Sequence, residues 1–132
     1  MPHAINRKAF LSINNPDEPL VTAYCQLVAT ELALKDHAAQ WPSGHDLLQL
    51  LNNLNDPGLV SLGASLRTEL SAVPCTTIKG DTAMVRPDRY PELRYTQHQN
   101  DYTGGATDEQ LRNIVQIVED VIKQLRYSGV TI

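Results

Sequence analysis

The apolar positions of this chain fall into a few helical stripes separated by prolines. Leu20, Ala23, Tyr24, Leu27, Leu34 and Ala38 recur at helical spacing and share one face. Asn15-Pro16-Asp17-Glu18-Pro19 supplies a start, because proline suits a first turn and acids there complement the helix dipole. Val28 and Leu32 widen the stripe, so this helix is expected to be buried on more than one side before Pro42 ends it. Ser43-Gly44-His45-Asp46 reads as the next start, with Ser43 as N-cap and Asp46 at the third position. Leu47, Leu48, Leu50, Leu51 and Leu54 follow. Asp56-Pro57 then opens a third helix through Leu59, Leu62, Leu66 and Leu70 to about Ala72, stopped by Pro74.

The cleanest stripe is the last. Thr107-Asp108-Glu109-Gln110 is a capping box, in which the Thr hydroxyl and the Gln amide each satisfy a free backbone N–H. Leu111, Ile114, Val115, Val118, Val121, Ile122 and Leu125 form one continuous face from about Asp108 to Arg126. Ile117 extends that face sideways, and Gly129 lies where a left-handed cap would sit.

Two stretches lack this periodicity. Residues 1–14 carry Ile5, Ala9, Phe10 and Ile13, which predicts either an N-terminal arm or a turn or two of helix packed on the body. Residues 73–106 contain Pro74, Gly80, Pro87, Pro91, Gly104 and Gly105, and predict a long, mostly irregular loop. Within it Thr76-Thr77-Ile78 and Met84-Val85 could pair briefly. The expected architecture is all-α: a single domain over residues 1–132, folded as an up-and-down bundle of four to five helices, with the long loop before the last.

Composition changes this picture little. A chain of 132 residues supports one core. A net charge of -4 argues against coating nucleic acid by bulk charge, while leaving room for a local basic patch. No apolar run is long enough to span a bilayer, and MPHAINRKAF has no secretion core, so a cytoplasmic location is expected. Cys25 and Cys75 are far apart, outside any CxxC or Cys/His cluster, which predicts reduced thiols and no metal site or cofactor. Lys79-Gly80-Asp81 lacks the glycine spacing of a phosphate loop, and neither Gly-x-Ser-x-Gly nor His-Glu-x-x-His occurs.

Three segments carry a resemblance when taken in order. Glu31-Leu32-Ala33-Leu34-Lys35 resembles an E-K-A-L-K signature late in a first long helix. Gly44-His45-Asp46-Leu47-Leu48-Gln49-Leu50-Leu51 resembles an H-D-L-x-x-L-L helix opening, and Arg89-Tyr90-Pro91 resembles an R-Y-P step before a final helix. Together, over roughly residues 19–126, they resemble the HEPN (higher eukaryotes and prokaryotes nucleotide-binding) superfamily. That resemblance implies a helical bundle, a homodimer, and either a toxin-type ribonuclease, a partner of minimal nucleotidyltransferases or a non-catalytic binding version. Catalytic members carry an Arg with a His after four to six intervening residues. Here Arg94-Tyr95-Thr96-Gln97-His98 leaves only three residues between.

The expected function is therefore a non-catalytic, dimeric, HEPN-like binding or regulatory module in a toxin–antitoxin or defence setting. Val28, Leu32 and Ile117 would supply its two-fold interface. Two alternatives stand beside it. One is a metal-independent ribonuclease using a shifted Arg94/His98 pair, with His moving the 2′-hydroxyl proton and Arg stabilising the phosphorane. The other is a partner that binds a nucleotide, a nucleotidyltransferase or an antitoxin. Glu31, set one turn from Lys35, and His45, beside Asp46 at a helix start, are further catalytic candidates. Arg86, Arg89, Tyr90, Arg94 and Tyr95 are the candidate RNA- or nucleotide-binding residues, since guanidinium groups grip phosphates and aromatic faces stack on bases.

Overall fold

The helix Pro19–Ala38 is the spine of the protein, seen here in a computed structural model that describes residues 4–38, 44–76, 80–96 and 105–132. In chain order the elements are α1 (Ala4–Leu11), α2 (Pro19–Ala38), α3 (Leu47–Asn52), α4 (Pro57–Ser71), β1 (Pro74–Thr76), β2 (Thr82–Met84), a 3-10 helix (Tyr90–Tyr95) and α5 (Asp108–Tyr127). The chain is mostly helical. Among the described residues no helix is long and apolar enough to cross a membrane.

α2 touches α1, α3, α5 and the 3-10 helix, which is why its buried positions run around the helix instead of along one stripe. Ala23, Leu27, Ala29, Ala33 and Leu34 are buried, and so are the polar Thr22, Gln26, Thr30 and Glu31. α2 begins at Pro19, at the end of the Asn15–Pro19 segment expected to start it. The Asn15 side chain instead accepts the Asp17 N–H at 2.9 Å, a local turn that competes with helix.

α5 is the most one-sided helix, burying Leu111, Ile114, Val118, Val121, Ile122 and Leu125 against α2 and α4. Its capping box forms as the sequence predicts, with Thr107 accepting from Gln110 N and Gln110 accepting from Thr107 N. Gln110 also donates to the Ala72 carbonyl at 3.1 Å, which ties the start of α5 to the end of α4. At the far end Gly129 adopts φ +90°, and Val130 N–H reaches back to the Leu125 carbonyl at 2.9 Å. Asp56 caps α4 through Gly58 and Leu59 N–H and also accepts from Gln124 and Ser128 of the α5 end.

Three expectations are corrected. Asp46, not Ser43, is the N-cap of α3, accepting from Gln49 N at 3.2 Å; Ser43 lies outside the described residues. Residues 4–11 are helical, but Ile5 is 85% exposed and the buried side chain is Arg7, paired with Asp36 at 2.7 Å. The fold is not purely α: β1 and β2 pair antiparallel, Cys75 opposite Ala83, and the Val85 N–H to Val73 carbonyl bond of 2.9 Å extends the pair. The described part of the 73–106 stretch is thus held by long-range packing, since Val73, Cys75, Val85, Tyr90 and Leu93 join the apolar core. Proline at the first residue of β1 is compatible with a two-stranded edge.

Truncating the α5 stripe tests this packing. Ile114→Ala removes a side chain with 0% exposure and is expected to cost about 2–5 kcal/mol, read as a lower urea midpoint. Tyr127→Ala, at a position 87% exposed, should leave the midpoint unchanged.

Candidate functional site

Four polar side chains converge where α2, the start of α3 and the 3-10 helix meet. Glu31 sits late in α2 and is only 4% exposed. An ionised carboxylate in such a place needs donors on both oxygens. Lys35, one turn along the same helix, lies 2.6 Å from Oε2. The Nδ1 of His45 lies 3.0 Å from Oε1 and 3.2 Å from Oε2. The hydroxyl of Tyr90 donates a short hydrogen bond to Oε1. Lys35 also donates to the Gly44 carbonyl at 3.2 Å, which holds the backbone beside His45. The Glu31–Lys35 pair is therefore largely buried, at 5% and 12% side-chain exposure, and is not a surface ion pair.

The electrostatics follow from these contacts. Burial alone would raise the Glu31 carboxyl, but hydrogen bonds from Lys35, Tyr90 and His45 outweigh it and hold the group below its ordinary range. Tyr90 moves the other way: burial first, then the adjacent Glu31 charge, push its phenol far up. Since a carboxylate oxygen only accepts, His45 Nδ1 carries the hydrogen, and a neutral ring keeps its lone pair on Nε2. Tyr90 packs against the His45 ring at 5.8 Å, nearly perpendicular, and against Tyr24 at 6.3 Å. A single parallel backbone bridge joins His45 to Arg89.

The His45 side chain is 53% exposed and lines an open cleft of about 730 Å³. Arg86, Arg89, Arg94, Tyr95 and Met84 line it too, so five of the sequence candidates come together there, counting His45 with the three arginines and Tyr95. Their roles separate. Arg86 is engaged by Glu92, which accepts from its backbone N–H at 2.8 Å and from its guanidinium at 3.1 and 3.2 Å. Arg89 and Arg94 are exposed and form no ion pair with a described carboxylate. Arg94 donates to the Pro91 carbonyl at 3.2 Å, and its guanidinium carbon lies 5.7 Å from the centre of the half-exposed Tyr95 ring. Asp81 and Glu92 also line the cleft, leaving it modestly basic in a chain of net charge -4.

One candidate is reassigned. Tyr90 was expected to stack on a base, but it is 1% exposed and its hydroxyl is committed to Glu31, so its face is not open to a ligand. Glu31 itself meets no ligand directly, because its oxygens are taken by three protein donors. His98 lies outside the described residues, so its distance from Arg94 has no place in this geometry. Met84 and Asp81 were missed: Met84 lies in a strand of three residues and Asp81 just before it, and so short an element gives no periodic signal. Cys25 and Cys75 are free and buried, and no group of His, Cys, Asp or Glu among the described residues could hold a metal ion.

Comparison of the chain with known protein families, with curated proteins and with solved structures finds no match.

The buried pair sets two pH limits. Glu31 titrates lower when folded, so its stabilisation is full above the unfolded value of about 4.3 and is lost as pH falls through the folded value. Tyr90 titrates higher when folded, so its contribution is full below about pH 10 and is lost as pH rises beyond it. Tyr90→Phe is expected to cost about 1.5–3 kcal/mol at neutral pH, the range for a hydrogen bond to a charged group, and to weaken the alkaline decline. Urea midpoints measured at neutral and alkaline pH check both parts.

Proposed function

We propose that the chain is a HEPN-like helical-bundle module that grips the phosphates of short single-stranded RNA in the cleft beside His45. The observation that carries this reading is the meeting of Arg89, Arg94 and Tyr95, all exposed, on one concave surface. Arginine forks suit phosphate oxygens, and an exposed aromatic ring offers a stacking face to an unpaired base. Unpaired bases are the ones free to stack on an exposed ring, which favours a single strand over a duplex. The negative charge of the whole chain favours local over bulk attraction, so the binding belongs to a defined site.

The same reading includes self-association. Val28, Leu32 and Ile117 are only half-buried within one copy, which supports their use as the two-fold contact. Such a dimer would act in the cytoplasm as the binding or regulatory half of a toxin–antitoxin or defence pair. An antitoxin or nucleotidyltransferase-type protein would be its partner.

Fluorescence anisotropy with a labelled oligoribonucleotide tests the cleft. Binding is expected to weaken with salt. The double variant Arg89→Ala/Arg94→Ala should lower the slope of log K against log salt by about 1–1.5, as loss of two phosphate contacts on a single strand requires. Tyr95→Ala should cost about 1–3 kcal/mol of affinity with the slope unchanged. Flat titrations with RNA, ATP and GTP would remove the reading. For the dimer, sedimentation at micromolar concentration is expected to give twice the chain mass, and a clean monomer counts against it.

A further inference from the structure

His45 combines two properties: one ring nitrogen is held on a buried carboxylate while the side chain remains half exposed to a cleft bearing three arginines. Resting on the reading of that cleft as a phosphate site, we propose that His45 Nε2 accepts a phosphoryl group from an N-phosphorylated donor of the phosphoramidate class. Glu31 is its positioning residue.

The tautomer comes first. With Nδ1–H donating to Glu31, the neutral imidazole has its lone pair on Nε2, the only ring atom able to attack phosphorus. The ring is also held in direction. Tyr90 abuts it at 5.8 Å, Lys35 holds the Gly44 carbonyl one residue before it, and the bridge to Arg89 fixes its backbone. A nucleophile whose base or orienter is itself oriented by a third group is the general arrangement for covalent catalysis.

Charge is the second argument. As Nε2 bonds to phosphorus the ring becomes cationic, and the Glu31 carboxylate stands against Nδ1 in a site 4% exposed, where such stabilisation is strong. Arg89 and Arg94 lie on the same cleft and can take the phosphoryl oxygens. Cys75 also lines the cleft but is not the acceptor. It is buried, and burial together with Glu92 pushes its thiol up, away from the reactive thiolate.

The step balances without a redox partner. The Nε2 lone pair forms the new N–P bond. The P–N bond of the donor breaks, and its electron pair leaves on the donor nitrogen, which in the zwitterionic donor already carries its proton and departs as a neutral amine. The Nδ1 hydrogen stays on His45, shared with Glu31. One P–N bond replaces another.

The test incubates the full chain with potassium phosphoramidate and follows acid-labile, alkali-stable phosphate by 31P NMR and peptide mass spectrometry. His37, exposed near the end of α2, is an internal reference for ordinary imidazole reactivity. The expected result is labelling of His45 at Nε2, roughly tenfold or more faster than His37. In Glu31→Gln the His45 rate falls to that of His37, while His37 itself is unmoved. Equal rates in the wild-type chain, or labelling of His45 at Nδ1, overturn the proposal, and this comparison needs no variant to fold. Unselective labelling with RNA binding intact overturns this inference alone. Loss of both selectivity and binding overturns the cleft as a phosphate site.

Discussion

A single carboxylate governs how this chain closes. Glu31 is buried late in α2, and its charge demands partners that water cannot supply. Those partners come from three places: Lys35 on the same helix, His45 at the start of α3, and Tyr90, 59 residues further on. Satisfying Glu31 therefore requires the 3-10 helix to fold onto α2. The cleft follows from that requirement, because the arginines that line it flank Tyr90 in sequence.

The contact between α4 and α5 is held by a second carboxylate used differently. Asp56 is partly exposed and caps α4, yet hydrogen bonds from Ser128 at 2.5 Å and from Gln124 lower its titration and bring the end of α5 to the start of α4. With Gln110 joining the start of α5 to the end of α4, the two helices are pinned at both ends. The apolar α5 stripe between those pins needs only to pack.

Much of the helical layer was legible from the sequence. The stripe of α5, its capping box, Gly129, the Asp56-Pro57 start and the many-sided burial of α2 are all local signals, set by neighbours three or four residues away. What escaped was set by distant partners. Tyr90 reads as an exposed aromatic among arginines, and nothing nearby in sequence announces that a glutamate on another helix will claim its hydroxyl. Ile5 reads as part of a short apolar pattern, yet Asp36 draws Arg7 inward and Ile5 stays outside. The strands of residues 74–84 are too short for a period of two to show against prolines and threonines. In the site, the arginines and His45 could be named individually, but their sharing of one surface is a property of the fold.

The attachment of α1 fixes the order in which the molecule can come apart. Among the described residues, the cluster of buried apolar side chains that forms the core begins at Ala23. α1 is held by the Arg7–Asp36 pair and by the Gln26 amide, which donates to the Leu11 and Ile13 carbonyls at 3.1 Å each. Beside these polar fastenings α1 leaves Ile5, Asn6, Lys8 and Ala9 exposed and packs Leu11 on the core, so it is expected to open at lower free energy than the contacts among α2, α4 and α5. Its amides would then exchange with solvent ahead of the core, through a local event that leaves Glu31 and its three donors in place.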